Sequence, residues 1–278
     1  MRDYAVYDVF TKTPYGGNQL AVIPEAEGLT PEQMQTIARE FNFSETTFVL
    51  PPEDPAHTAC IRIFTPAREL PFAGHPTIGT AVMLAEMGHG PDMVLELGVG
   101  PLCARAEAGQ ASFVTQVPLE RKAKPAPELV ARTIGCTPDQ IIGEPEIASL
   151  GSDFVYVQLD SRKTLSTLCP NTDAMREGAA LFSSNDEFDV YAWVEAPDGA
   201  IHARMFAPLG GIPEDPATGS AAAPLAAVLC QDRGAAQAFT IHQGVDMGRP
   251  SQIHLRAEPG SVTVAGAALR MMSGKLLR

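Results

Sequence analysis

The chain has 278 residues, 45% of them apolar and 19% charged, with a formal net charge of −13 and an isoelectric point near 4.8. This is the composition of a folded globular protein, and its acidity excludes nucleic acid and anionic membrane as partners, because both select clustered Lys and Arg. A carboxylate-bearing ligand must then be held by local donors, above all the N–H groups at helix starts.

The opening Met1-Arg2-Asp3-Tyr4 runs straight into strand-like sequence with no apolar leader, and no run approaches the roughly 18 apolar residues of a membrane span. A cytoplasmic location and no membrane partner are expected. Cys60, Cys103, Cys136, Cys169 and Cys230 are odd in number and contain no C-x-x-C pair, which fits reduced thiols and predicts no metal site.

In chain order, strands are predicted at Ala5–Phe10 and Gln19–Pro24 around a Pro14-Tyr15-Gly16-Gly17-Asn18 turn. Thr30-Pro31-Glu32-Gln33 then opens a helix to about Asn42, with Thr30 as N-cap, Pro31 at the first helical position and Gln33 completing a capping box. A strand at Thr46–Leu50 follows, leaving Glu45 at its entrance, where functional side chains are often displayed. Further strands are predicted at Ala59–Phe64, Met93–Leu97, Leu102–Ala106 and Ser112–Val117, with a helix at Pro76–Met87. The polar, proline-rich Glu120–Pro127 reads as a linker and domain boundary. Beyond it come helices at Glu128–Ile134 and Thr172–Leu181, strands at Phe154–Leu159 and Asp189–Val194, and strand signals from Ile201 to the end.

An internal repeat organises this pattern. Arg62-Ile63-Phe64-Thr65-Pro66 recurs half a chain later as Arg204-Met205-Phe206-Ala207-Pro208. The first copy leads through Phe72-Ala73-Gly74-His75-Pro76 into an apolar helix, the second through Pro216-Ala217-Thr218-Gly219-Ser220 into another. Small residues at both helix starts leave first-turn N–H groups accessible, so two such starts in one cleft would cradle a substrate carboxylate; alternatively, Gly74 and Gly219 serve close packing alone. His75 can donate to a substrate or shuttle protons near neutral pH, or be an ordinary satisfied histidine. Asp215 precedes the second glycine turn, and Glu214 beside it reads equally as a solvated charge at the helix start. No G-x-G-x-x-G or P-loop pattern is present, and Thr218-Gly219-Ser220-Ala221-Ala222 is not a nucleophile elbow, which weakens nucleotide and serine-hydrolase readings.

Taken together, Gly17-Asn18, Ser44-Glu45-Thr46-Thr47-Phe48-Val49, Phe64-Thr65-Pro66, Glu69 through Pro76, Met205 through Pro208, Glu214 through Ala221, Gln243-Gly244 and Gly248 through Ser251 resemble the PhzF-like (phenazine biosynthesis) isomerase family, over nearly the whole chain. The resemblance implies a diaminopimelate-epimerase-like α/β (α+β) fold: two pseudo-symmetric domains, each a curved mixed sheet wrapped around a central helix. The expected domains are residues 1–120 plus about 266–278, and 121–265, with the active site in the cleft between them. Diaminopimelate epimerase and proline racemase relatives use one cysteine from each half, but the matching positions here are Ala73 and Thr218, which disfavours two-base racemisation.

The resemblance instead implies a single-glutamate proton shuttle by Glu45. His75 and Asp215 are the other catalytic positions, and Asn18, Ser44, Gly74, Gly219 and Ser220 bind a small carboxylate substrate. Such a glutamate needs partial desolvation, supplied by closure of the two halves, to work near neutral pH. No cofactor is implied, and a homodimer is expected. The rivals are an epimerase or racemase of an amino or hydroxy acid, a catalytically silent binding protein of the same fold, and a serine hydrolase using Ser220.

Overall fold

A computed structural model describes residues 1–277. The chain divides into two compact units, Met1–Thr115 joined by the carboxy-terminal segment from Thr263, and Gln116–Val262. In chain order the first carries strands β1 (Arg2–Val9) and β2 (Asn18–Ile23), helix α1 (Pro31–Phe41), β3 (Glu45–Leu50), β4 (Ala59–Phe64), β5 (Glu69–Leu70), α2 (Gly74–Glu86), β6 (Asp92–Leu97), β7 (Gly100–Glu107) and β8 (Gln110–Thr115). The second carries β9 (Glu120–Ala123), α3 (Pro127–Ile134), β10 (Ile141–Ser149), β11 (Asp153–Leu159), α4 (Arg162–Thr167), α5 (Thr172–Phe182), β12 (Val190–Glu195), β13 (Ile201–Ala207), β14 (Ile212–Asp215), α6 (Gly219–Arg233), β15 (Gln237–Gln243) and β16 (Ser251–Glu258). The last strand, β17 (Ser261–Leu276), pairs with β1 from Val9↔Ala268 to Arg2↔Leu276.

In the first unit the pairings β1–β2, β2–β3, β3–β4, β4–β6, β6–β7, β7–β8, β8–β17 and β17–β1 close a ring. Helix α2 lies against β1, β2, β3, β7 and β8 and is buried continuously from Gly74 to Leu84. A helix that is apolar all round can be stable only when enclosed in this way. Glycine at position 79 is required by the enclosure: a Cβ there would come within 2.6 Å of Leu20 Cδ2 and 2.8 Å of Val9 Cγ2. Outside the ring, α1 packs Met34 and Ala38 into a cluster with Ile23, Phe48 and Phe64. Its start is as predicted. Gln33 N donates to Thr30 Oγ1 (3.3 Å) and Thr30 N to Gln33 Oε1 (2.9 Å), and Asn42 ends the helix in the left-handed region at φ 53°.

The second unit repeats the order of ladders. In the first, β1–β2 is antiparallel, β2–β3 parallel, β3–β4 antiparallel, β4–β6 parallel and β6–β7 antiparallel. In the second, β10–β11, β11–β12, β12–β13, β13–β15 and β15–β16 follow the same alternation. Each parallel step is bridged by helix, since a tight turn cannot return the chain in the same direction. Helix α6 is the counterpart of α2, and short β14 pairs with β13 as β5 does with β4. The mixed α/β fold and the repeat are therefore as the sequence indicates.

Three differences have physical causes. Part of the segment read as a linker, Glu120–Ala123, is β9, paired with β10 and tied to it by Arg121–Glu146 and to the start of β11 by Lys122–Asp153 ion pairs. Its charges are cross-strand partners as well as solvating groups, and they carry the chain from Gln116 into the second unit. Strand β10 escapes the sequence pattern because Gly143 (φ 70°) and Pro145 interrupt it; the β10–β11 register shifts there, between Ile142 and Glu146. The short α4 also has no periodic signal, and it starts on Ser161, whose hydroxyl accepts from Thr164 N.

Candidate active site

In the first unit, the turn before β2 brings Asn18 inward. Tyr15 N donates to Asp8 Oδ2 at 2.8 Å, and Gly17 takes φ 66°, where a Cβ would lie 2.7 Å from Thr11 Cγ2. Asn18 is buried, with its Nδ2 3.3 Å from His75 Nδ1. The parallel register Leu20↔Glu45 sets Glu45, first residue of β3, beside β2. Its side chain is 12% exposed, and Oε2 lies 3.4 Å from His75 Nδ1. His75 is the second residue of α2, after Gly74; Ala73, the N-cap, has an extended backbone and its carbonyl accepts from Thr77 Oγ1 at 2.8 Å. Asn18, Glu45, Gly74 and His75 thus form one cluster, with half-buried Ser44 adjoining Glu45 in the chain.

Burial pushes the His75 imidazole down to about 3, against a hydrogen bond with the backbone of Gln19 that raises it. The ring is neutral at pH 7. Of the roles the sequence leaves open for His75, this downward shift favours a neutral hydrogen-bonding group beside a carboxylate over a proton carrier near neutrality. Its Nε2 is buried and makes no hydrogen bond among the described residues.

In the second unit, Asp215 ends β14, opposite Met205 of β13, and the chain turns through Pro216 and Ala217 into α6, whose first two residues are Gly219 and Ser220. Asp215 is buried, and its Oδ2 accepts a 2.5 Å hydrogen bond from Thr218 Oγ1. Gln243, fully buried at the end of β15, organises this turn. Its Nε2 donates to the Asp215 carbonyl (2.8 Å) and to Thr218 Oγ1 (2.9 Å), while its Oε1 accepts from Thr218 N (3.2 Å) and Tyr191 Oη (3.1 Å). Burial and the Asp215 charge hold the Tyr191 hydroxyl far above its ordinary range, so it remains a neutral donor. Glu214 is not the solvated charge suggested by sequence: it pairs bidentately with buried Arg204 at 2.7 and 2.8 Å, and the same guanidinium donates to the carbonyls of Leu165 and Leu168. Sequence reasoning misses the Gln243 network because 25 residues separate it from Thr218, and its one signal is membership of the Gln243-Gly244 pair.

The structure brings Asn18, Ser44, Glu45, Gly74 and His75 together in the first unit, and Asp215, Gly219 and Ser220 in the second. Ala73 and Thr218 occupy the same place in the repeat, as N-caps of the two buried helices, and neither is an acid or base. Among the described residues, no helix is long and apolar enough to cross a membrane.

Residues 7–274 match the family model described as phenazine biosynthesis-like protein. A trans-2,3-dihydro-3-hydroxyanthranilate isomerase of Pseudomonas aeruginosa is 38% identical, over 93% of this chain and 91% of its own. An uncharacterized isomerase of Mesorhizobium japonicum is 37% identical over 99% and 98% of the two chains. A solved structure from Pseudomonas aeruginosa, described as a predicted epimerase, superposes with a TM-score of 0.86 at 31% identity, covering all of both chains. The chain belongs to the phenazine biosynthesis-like (PhzF) family, and it is an isomerase.

Proposed function

We propose that this isomerase acts without a cofactor on a small carboxylate-bearing metabolite, with Glu45 as a single proton shuttle. Glu45 takes a proton from one carbon of an allylic system and returns it to another on the same face; the double bond moves and no atom is gained or lost. The observation that carries this reading is the pairing of a largely buried carboxylate with a neutral imidazole 3.4 Å away at the start of α2. A neutral His75 places no full positive charge beside the Glu45 carboxylate, as an imidazolium would. The absence of an acid or base at Ala73, together with the commitment of the Thr218 hydroxyl to Asp215, favours one base over two.

The relatives named trans-2,3-dihydro-3-hydroxyanthranilate isomerases support a cyclic amino-carboxylate with an allylic C–H as the substrate class. Family resemblance supports assigning substrate contact to Asp215, Gly219 and Ser220 as well, with helix-start N–H groups suited to receiving a carboxylate.

Glu45→Gln tests the reading with trans-2,3-dihydro-3-hydroxyanthranilate as the first substrate. Turnover is expected to fall by at least about 10² with the fold intact, because the amide cannot accept a carbon-bound proton. Deuterium on the donor carbon should be partly retained in product formed in ordinary water. Substantial turnover by the Gln variant assigns the proton transfer to another residue.

A further inference from the structure

The four hydrogen bonds of Gln243 saturate its amide, with two donors used on Nε2 and two acceptor sites on Oε1. The amide orientation is thereby forced, since a flipped NH2 would face the N–H of Thr218 and the O–H of Tyr191. A hydroxyl has one proton. Because Thr218 Oγ1 accepts from Gln243 Nε2, that proton is left to point at Asp215 Oδ2, 2.5 Å away. The chain of polarity runs from Gln243 through Thr218 to Asp215 and fixes this carboxylate oxygen as an acceptor. The Asp215 carbonyl is tied to the same amide, so backbone and side chain of Asp215 are held from one point.

We infer that Gln243 is a positioning residue for substrate recognition: through the Thr218 hydroxyl it orients the Asp215 carboxylate, with Oδ2 committed as an acceptor, for a donor group, an amine or hydroxyl, on the substrate. This rests on the proposed role of Asp215 as a substrate contact. It adds a residue that never touches the substrate and yet sets which functional group the site selects. The bridge works only if Gln243 donates. Gln243→Glu keeps the shape and the acceptor but loses both Nε2 donors, and Gln243→Met keeps the length but loses all four bonds.

The test has two arms, using the full-length protein and its Gln243→Met and Gln243→Glu variants, with folding checked by thermal melting. In crystal structures of the variants, the Thr218 hydroxyl is expected to leave Asp215 Oδ2 and the carboxylate to rotate; a Thr218–Asp215 bond unchanged in both overturns the inference without reference to any ligand. In calorimetry, anthranilate and benzoate serve as probes that differ only by the amine. The native protein should prefer anthranilate by at least about tenfold, the worth of one hydrogen bond to a charged group. Both variants should lose that preference while benzoate affinity stays within about twofold, and Tyr191→Phe, which leaves Nε2 untouched, should lose less of it. Equal weakening of both probes would mark Gln243 as merely structural. A native protein with no preference refutes the role of Asp215 as an amine acceptor, and the crystallographic arm still decides whether Gln243 sets its orientation.

Discussion

Acidification should destabilise this protein through His75, and the sign of the effect distinguishes burial from ion pairing. The imidazole sits near 3 in the folded state, against an ordinary histidine value of 6.5 in the unfolded chain. Between these values the unfolded chain binds more protons than the folded one, so stability is complete above pH 6.5 and falls as the pH is lowered. At pH 5 the unfolded histidine is almost fully charged and the folded one still neutral, a difference of about 1.5 pH units or about 2 kcal/mol. The competing effect is the Glu45 carboxylate 3.4 Å from Nδ1, which favours the charged ring. If it won, the folded value would rise above 6.5 and acid would stabilise. Urea unfolding at pH 7.5 and pH 5 is the assay, comparing the native protein with His75→Gln so that other titrating groups cancel. The native protein should lose about 2 kcal/mol more than the variant over that interval. An equal loss, or a smaller loss in the native protein, refutes the claim that burial dominates at His75.

Two other substitutions probe the supports of the second unit. Arg204→Met removes the partner of half-buried Glu214 and three carbonyl contacts at the end of α4, and should cost about 3–5 kcal/mol in denaturant unfolding; a change below about 1 kcal/mol would mean that the pair is effectively solvated. Gly244→Ala forces a side chain into φ 73°, with its Cβ 2.6 Å from the Pro216 carbonyl oxygen, so a loss of about 2–5 kcal/mol is expected, and unchanged melting would refute the backbone constraint. At the first helix, Thr30→Ala should cost about 1 kcal/mol through the lost cap, read by the same unfolding assay.

What the sequence determined by itself is the part of the structure governed by near neighbours. Thr30, Pro31 and Gln33 define the start of α1 because capping bonds span three residues. The helix starts at Gly74 and Gly219 and the strands before them are legible because the repeat writes the same local grammar twice, whereas Glu45, His75 and Asp215 stand out only through the family resemblance. The tertiary structure decided what depends on pairing and enclosure. Glu120–Ala123 is polar enough to read as a linker and becomes a strand only because β10 lies beside it and Glu146 receives Arg121. Gln243 shows in the sequence only as part of the Gln243-Gly244 pair; its contacts with the start of α6 exist because the parallel β13–β15 ladder ends there. The burial that pushes the His75 imidazole down is likewise invisible in the sequence, since it depends on enclosure by a closed ring of strands drawn from both ends of the chain.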